Sequence, residues 1–182
     1  MAVCQYIRPN RNAMNWHSIT VSMLDSVQST EPRTVTLGAW ALATKRSNLD
    51  TPKQQRPALM PHGHFIGGRS AVHCSQESGV VQFDIDLKDN PKLDRDEVKR
   101  RCAQLPDVYF CAKSATGGLW GIAKRASDLD NQLQRLQHSL GVRLDKANSR
   151  SVAALRFASY DSNPYEYIRQ TVGEHPARPQ RR

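Results

Sequence analysis

Val80-Val81-Gln82-Phe83-Asp84-Ile85-Asp86 is the stretch on which the fold of this 182-residue chain turns. It is short, apolar and β-branched, and it carries two carboxylates. Strand alternation sends Asp84 and Asp86 to one face, and Phe83, Ile85 and Leu87 to the other. Residues two apart on a strand have Cα atoms roughly 6–7 Å apart. Ionised carboxylates held that close repel each other unless a cation lies between them. Two Mg²⁺ or Mn²⁺ ions about 3.5–4 Å apart are what phosphoryl-transfer sites use. An Asp-x-Asp strand alone is equally an exposed acidic edge, so the flanking sequence has to discriminate.

The length suits one domain with a proper core, and the composition suits a soluble α+β globule. No apolar run has the length of a membrane span, and Met1-Ala2-Val3-Cys4-Gln5 lacks the form of a secretory signal. A cytoplasmic setting is expected. Cys4, Cys74, Cys102 and Cys111 form no C-x-x-C pair and read as reduced thiols. The formal charge of +9 is unevenly spread. Residues 1–79 and 146–182 each carry a net +4, whereas residues 80–145 carry only +1. An acidic centre between basic flanks suits a protein that binds nucleic-acid phosphates around a metal site.

Upstream, Ile19 to Leu24 reads as a strand, and Thr36 as the cap of a helix from Leu37 to about Arg46. Residues 48–57 read as a loop, and Ala58 to His73 as a run of tight turns. His62, His64, His73 and Cys74 match no compact zinc spacing. Downstream, Asp89-Asn90-Pro91 predicts a helix start, with Val98, Cys102 and Leu105 on one face. Val108, Phe110 and Ala112 alternate as a second strand. Ser114 to Gly118 is a turn, and Leu119 to Lys124 a third strand, pairing antiparallel with the second. Ser127 is placed as the cap of a helix with Leu129, Leu133, Leu136 and Leu140 along one stripe, closed by Gly141. Val142 to Asp145 reads as extended, Ser151 to Leu155 as a helical turn, and Arg156 to Tyr160 as a strand. The tail from about Gly173 is Arg- and Pro-rich and expected to be mobile. The expected fold class is therefore α+β: an antiparallel or mixed sheet with packed helices, of the kind RNA-recognition modules use.

Three pieces point to one chemistry. Asp84 and Asp86 share a strand face. The hairpin Lys113-Ser114-Ala115-Thr116-Gly117-Gly118-Leu119-Trp120 offers amides, hydroxyls and close backbone approach to phosphate, and Lys113 and Lys124 add charge. Asp145 can complete a three-carboxylate metal site, and Arg156 can grip a triphosphate.

In this order the pieces resemble the archaeo-eukaryotic primase (primase-polymerase) superfamily. The nearer likeness is to the primase-like N-terminal domain of virulence-associated-E-type proteins of phages and mobile elements. The likeness includes the Pro- and Gly-rich run Arg56 to Arg69, Ser78-Gly79, and Arg156-Phe157-Ala158-Ser159-Tyr160-Asp161. It covers about Arg56 to Tyr165. It implies a catalytic core over residues 56–172, with residues 1–55 as an N-terminal part of the same domain and 173–182 as a tail. It implies that Asp84, Asp86 and Asp145 bind two Mg²⁺ or Mn²⁺ ions. It also implies that Lys113, Ser114, Gly117, Gly118, Trp120, Lys124 and Arg156 meet the incoming nucleotide, and Arg69 the nucleic-acid backbone. The chain departs from the family at Trp120, where many primase-polymerases have a histidine; Trp carries no charge to a phosphate but can stack on a base or pack. The implied activity is template-dependent nucleotidyl transfer on single-stranded DNA from nucleoside triphosphates, with a replicative helicase as partner in cis or in trans. Two other readings stay open: a non-catalytic nucleic-acid-binding domain that positions such a helicase, and a metal-dependent nuclease.

Overall fold

The structure is a computed structural model that describes residues 15–46 and 51–167. Its first half contributes β1 (Thr20–Leu24), β2 (Arg33–Thr36), α1 (Leu37–Arg46), β3 (Ala58–Met60), β4 (Gly63–Phe65) and β5 (Cys74–Glu77). Then come β6 (Val80–Ile85), α2 (Arg95–Cys102), β7 (Val108–Lys113), β8 (Leu119–Lys124), α3 (Leu129–Leu140), α4 (Lys146–Arg150), β9 (Arg156–Phe157) and β10 (Tyr165–Glu166). Two four-stranded sheets result, ordered β2-β1-β3-β9 and β10-β7-β8-β6, and β4 pairs with β5. Among the described residues every strand pairing is antiparallel. The fold is thus α+β. In the second sheet β6 and β7 both pair with β8, so they run parallel to each other with α2 as the crossover, a split β-α-β unit.

Alternation along β6 assigns the layers. Val81, Phe83 and Ile85 face Val98 and Cys102 of α2 and Leu133, Leu136 and Leu140 of α3. Val80, on the other face, joins Phe110, Trp120 and Ile122 against Val21, Met23 and Leu59 of the first sheet and Leu37 and Trp40 of α1. The second sheet is therefore the middle layer, buried on both sides. The leucine stripe read from the sequence anchors α3; each fully buried leucine is worth roughly 1.5–3 kcal/mol, against about 1 kcal/mol for a cap. No helix among the described residues is long and apolar enough to cross a membrane.

Several boundaries differ from the expectation. Thr36 does cap α1, its Oγ1 accepting from the Ala39 amide. The helix after β6 starts at Arg95, because Asp94 accepts from the amides of Asp96 and Glu97. Asn90 is occupied elsewhere: its Nδ2 donates to the Asp86 and Arg143 carbonyls. Asp128, not Ser127, caps α3 through the Asn131 amide. The helical turn lies at Lys146–Arg150, ahead of Ser151, because Asp145 caps it. The strand from Arg156 ends at Phe157. The run from Ala58 to His73 is not only turns: β3 is an inner strand of the first sheet, all three of its residues buried. Residues 173–182, where a mobile tail was expected, lie outside the described residues.

His62, in the turn after β3, is buried with neither ring nitrogen hydrogen-bonded. Burial, and next the charges of Arg125 and Arg156, lower its pKa to about 4. The unfolded chain, with the ordinary value near 6.5, takes up the proton first. Stability is therefore full above about pH 6.5 and falls as the pH drops toward 4, by up to about 3 kcal/mol from this residue. Urea denaturation across that range should show the loss, and His62→Leu should flatten it. An equal slope in His62→Leu would assign the acid sensitivity to other groups.

Candidate metal centre

Three chain segments converge at one end of β6. Asp84 is buried on the strand, and Asp86 follows it at the sheet edge. Asp145 arrives by a different route. The chain leaves α3 and runs back past β6, and the Asp145 amide donates to the Asp84 carbonyl at 2.9 Å. Capping α4 then fixes the Asp145 side chain: its Oδ1 accepts from the Asn148 amide at 3.0 Å. One carboxylate oxygen from each of the three aspartates lies within 4.8 Å of the other two. Among the described residues no other set of three such donors comes this close. Three hard oxygen donors that repel one another suit a hard cation, so these residues could hold a metal ion.

Arg156 reaches the same point from β9. Its Nη1 lies 2.7 Å from Asp84 Oδ2, and its Nε donates to Gln82 Oε1. Its Nη2 is buried without a hydrogen-bond partner. Asn148 Nδ2 donates to the same Asp84 Oδ2 at 3.1 Å. Asp86 is more open, with Lys88 Nζ at 3.4 Å. That hydrogen bond, reinforced by the Asp86 and Asp89 charges, raises the Lys88 pKa.

The carboxylates form part of the wall of a cleft of about 450 Å³ between the two sheets. Ser114, Ala115 and Thr116 of the β7–β8 hairpin form another side, and Leu155, Arg156 and Phe157 a third. Lys53 enters from the segment ahead of β3, its ammonium 4.7 Å from the centre of the Phe157 ring. No family model, curated protein or solved structure matches the chain. The site therefore stands on its own geometry.

That geometry sorts the residues expected from the sequence. It brings together Asp84, Asp86, Asp145, Ser114, Trp120 and Arg156. Trp120 sits opposite Asp84 in the β6–β8 register, and its indole packs against Phe110 with ring centroids 5.4 Å apart. It is a buried part of the cleft wall, not a free stacking platform. Gly117 and Gly118 have a structural role in the hairpin. Gly117 takes φ +89°, and its carbonyl accepts from Arg95 Nε at 2.7 Å. Gly118 lies so close to β6 that a Cβ there would come within 2.1 Å of the Ile85 carbonyl oxygen. Gly118 lets the hairpin lie directly on β6, and the residues before the two glycines face the cleft.

Lys113 is exposed and absent from the cleft lining; its amide is held by Asp161 Oδ2 and its carbonyl by Ser159 Oγ. Lys124 pairs with Val80, at the opposite end of β6 from Asp84. Arg69 donates to the Val27 carbonyl and is likewise absent from the lining. His64 bonds Thr20 and His73 bonds Ser70. The sequence reading missed Gln82, Asn148 and Lys53. Gln82 was recoverable, since alternation places it on the Asp84 face. Asn148 had a weaker signal, three residues after a capping aspartate. Lys53 carried none.

Proposed function

We propose that this chain is a template-dependent nucleotidyltransferase, a DNA primase or polymerase of the archaeo-eukaryotic primase type, in the replication of a phage, plasmid or other mobile element. The observation that carries the reading is the convergence of Asp84, Asp86 and Asp145 with the Ser114–Thr116 hairpin and Arg156 on one cleft. A primase-type core over this sheet and a bacterial cytoplasmic setting belong to the same proposal. Two bound Mg²⁺ or Mn²⁺ ions would supply activation of the attacking 3′-hydroxyl and charge neutralisation on the leaving pyrophosphate. The chain's own residues do the rest. The aspartates would hold the cations. Arg156, which lines the cleft, brings a positive charge toward a phosphate, and the Ser114 and Thr116 hydroxyls are donors for its oxygens. Leu155, Phe157 and Trp120 give the cleft its apolar wall, which suits a sugar or base.

The test is incubation with single-stranded DNA, nucleoside triphosphates and Mn²⁺. Product longer than the input, or a new primer, is expected. Retained DNA binding with no product would overturn the reading, and shortening of the template would replace it with a nuclease. Two observations favour a non-catalytic domain that positions a helicase. Asp84 and Arg156 already neutralise each other, and buried Trp120 occupies the place of the family's phosphate-binding histidine.

Lys53 makes no ion pair among the described residues, so its charge is open to an anionic ligand. Lys53→Ala should raise the KM for nucleotide about 5- to 20-fold, one charge-assisted contact, with kcat changed less than about twofold. Steady-state kinetics with varied nucleotide measures this; an unchanged KM would remove Lys53 from the nucleotide site.

A further inference from the structure

Beneath the three carboxylates lies a closed ring of polar contacts. Asp84 Oδ2 accepts from Asn148 Nδ2 at 3.1 Å, and the Asn148 carbonyl accepts from Gln82 Nε2 at 3.5 Å. Gln82 Oε1 accepts from Arg156 Nε, and Arg156 Nη1 returns to Asp84 Oδ2 at 2.7 Å. The Asn148 amide also donates to Asp145 Oδ1 at 3.0 Å. Asn148 thus touches two of the three aspartates, one through its side chain and one through its backbone. Together with the Asp145 amide–Asp84 carbonyl bond, it ties α4, which Asp145 caps, to β6, which carries Asp84.

We infer that Asn148 is a positioning residue for the metal centre: it docks α4 on β6 and turns Asp84 so that Oδ1, not Oδ2, is presented to the cation. Three features of the ring support this. Gln82 is fully buried, and Asp84 and Arg156 are nearly so, so the ring has little water to replace a lost contact. Both donors to Asp84 converge on one oxygen, which leaves the other free of protein partners in the ring. Asp145 caps the short helix that holds Asn148, so a change in how that helix docks moves the Asp145 carboxylate directly. Outer partners that orient metal ligands commonly govern affinity by about 10- to 100-fold. The inference rests on the metal reading of the three aspartates, not on the polymerase reading.

The test is direct Mn²⁺ titration of the purified full chain, followed by electron paramagnetic resonance, with thermal melting of the metal-free protein alongside. Asn148→Ala should weaken Mn²⁺ binding about 10- to 100-fold. Gln82→Met, which keeps the volume and breaks the ring on its other side, should weaken it in the same direction. The double variant should lose less than the two single effects combined, because both break one ring. Asn148→Ser retains a side-chain donor and should recover part of the affinity; it also serves if Asn148→Ala does not fold. A merely structural Asn148 would lower the melting temperature and leave Mn²⁺ affinity at the wild-type level, and that result overturns the inference. Wild-type protein that binds no Mn²⁺ overturns the metal reading and this inference together. Wild-type protein that binds Mn²⁺ but extends no DNA refutes the polymerase reading alone, and a weaker Asn148→Ala would still support the positioning role.

Discussion

Asp86→Asn is expected to cut nucleotide incorporation by about a thousandfold or more while leaving the melting temperature almost unchanged. The size follows from the proposed role. Metal ions contribute several kcal/mol of transition-state charge stabilisation, and each 1.36 kcal/mol or so is tenfold in rate. The harmless effect on stability follows from the surroundings. Asp86 lies beyond the last paired residue of β6, partly exposed, and its charged neighbour Lys88 is itself a surface residue. A surface pair of this kind is worth at most about 1 kcal/mol. Asp84→Ala is the instructive contrast. It should lose activity to the same degree and also lose about 3–5 kcal/mol of stability, because Arg156 would keep its buried charge without a partner. Primer extension and urea denaturation of the two variants separate the roles. Wild-type incorporation by Asp86→Asn would remove Asp86 from the chemistry and, with it, the proposed metal role of the carboxylate cluster.

The same two aspartates mark how far the sequence could be read. Period-two alternation has one answer once a strand is assumed, and it placed Asp84 and Asp86 on one face and Phe83 and Ile85 against α2 and α3. The leucine stripe of α3 and the Gly-Gly hairpin were legible for a similar reason: local pattern and local structure coincide. Caps were less legible. Asn90 before Pro91 has a good cap signature, but the Asp86 and Arg143 backbones take its side chain, and Asp94 caps instead. That competition is decided across 53 residues of sequence, where no local pattern reaches. β3 failed differently. All three of its residues are buried and it is flanked by prolines, so it shows no alternation to read. Without β3 nothing joined β1 to β9, although both were read as strands, and the first sheet that brings Lys53 to the cleft could not be assembled. Asp145 does join Asp84 and Asp86 in one carboxylate cluster, as expected, but by a different route. It was read as the end of an extended segment, whereas its cap on α4 is what fixes the carboxylate.

Gly118→Ala should destabilise the chain by about 1–3 kcal/mol or more and impair the metal centre at the same time. The added methyl would meet the Ile85 carbonyl oxygen at 2.1 Å and lie 3.4 Å from the Asp86 Cα. Neither neighbour is the end of a flexible side chain. Both are backbone, the last residue of β6 and the one after it, where the chain delivers Asp86. Relief requires either β8 or the end of β6 to move, and Leu119, next to Gly118, is buried and registered opposite Ile85. The hairpin and the carboxylate strand are therefore separated by the thickness of a single glycine. Melting by circular dichroism should fall by roughly 2–4 °C per kcal/mol lost. Mn²⁺ affinity should fall as well, even where the variant remains folded. Gly117→Ala is the control. Its methyl would approach the Leu87 side chain at 3.3 Å, and its cost would come from φ +89°, a local strain of about 1–2 kcal/mol. That variant should lose stability and keep its Mn²⁺ affinity. Equal loss of affinity in both would mean that the hairpin acts on the metal centre through its turn geometry, and equal retention would mean that Asp86 is held from the α2 side, through Asn90.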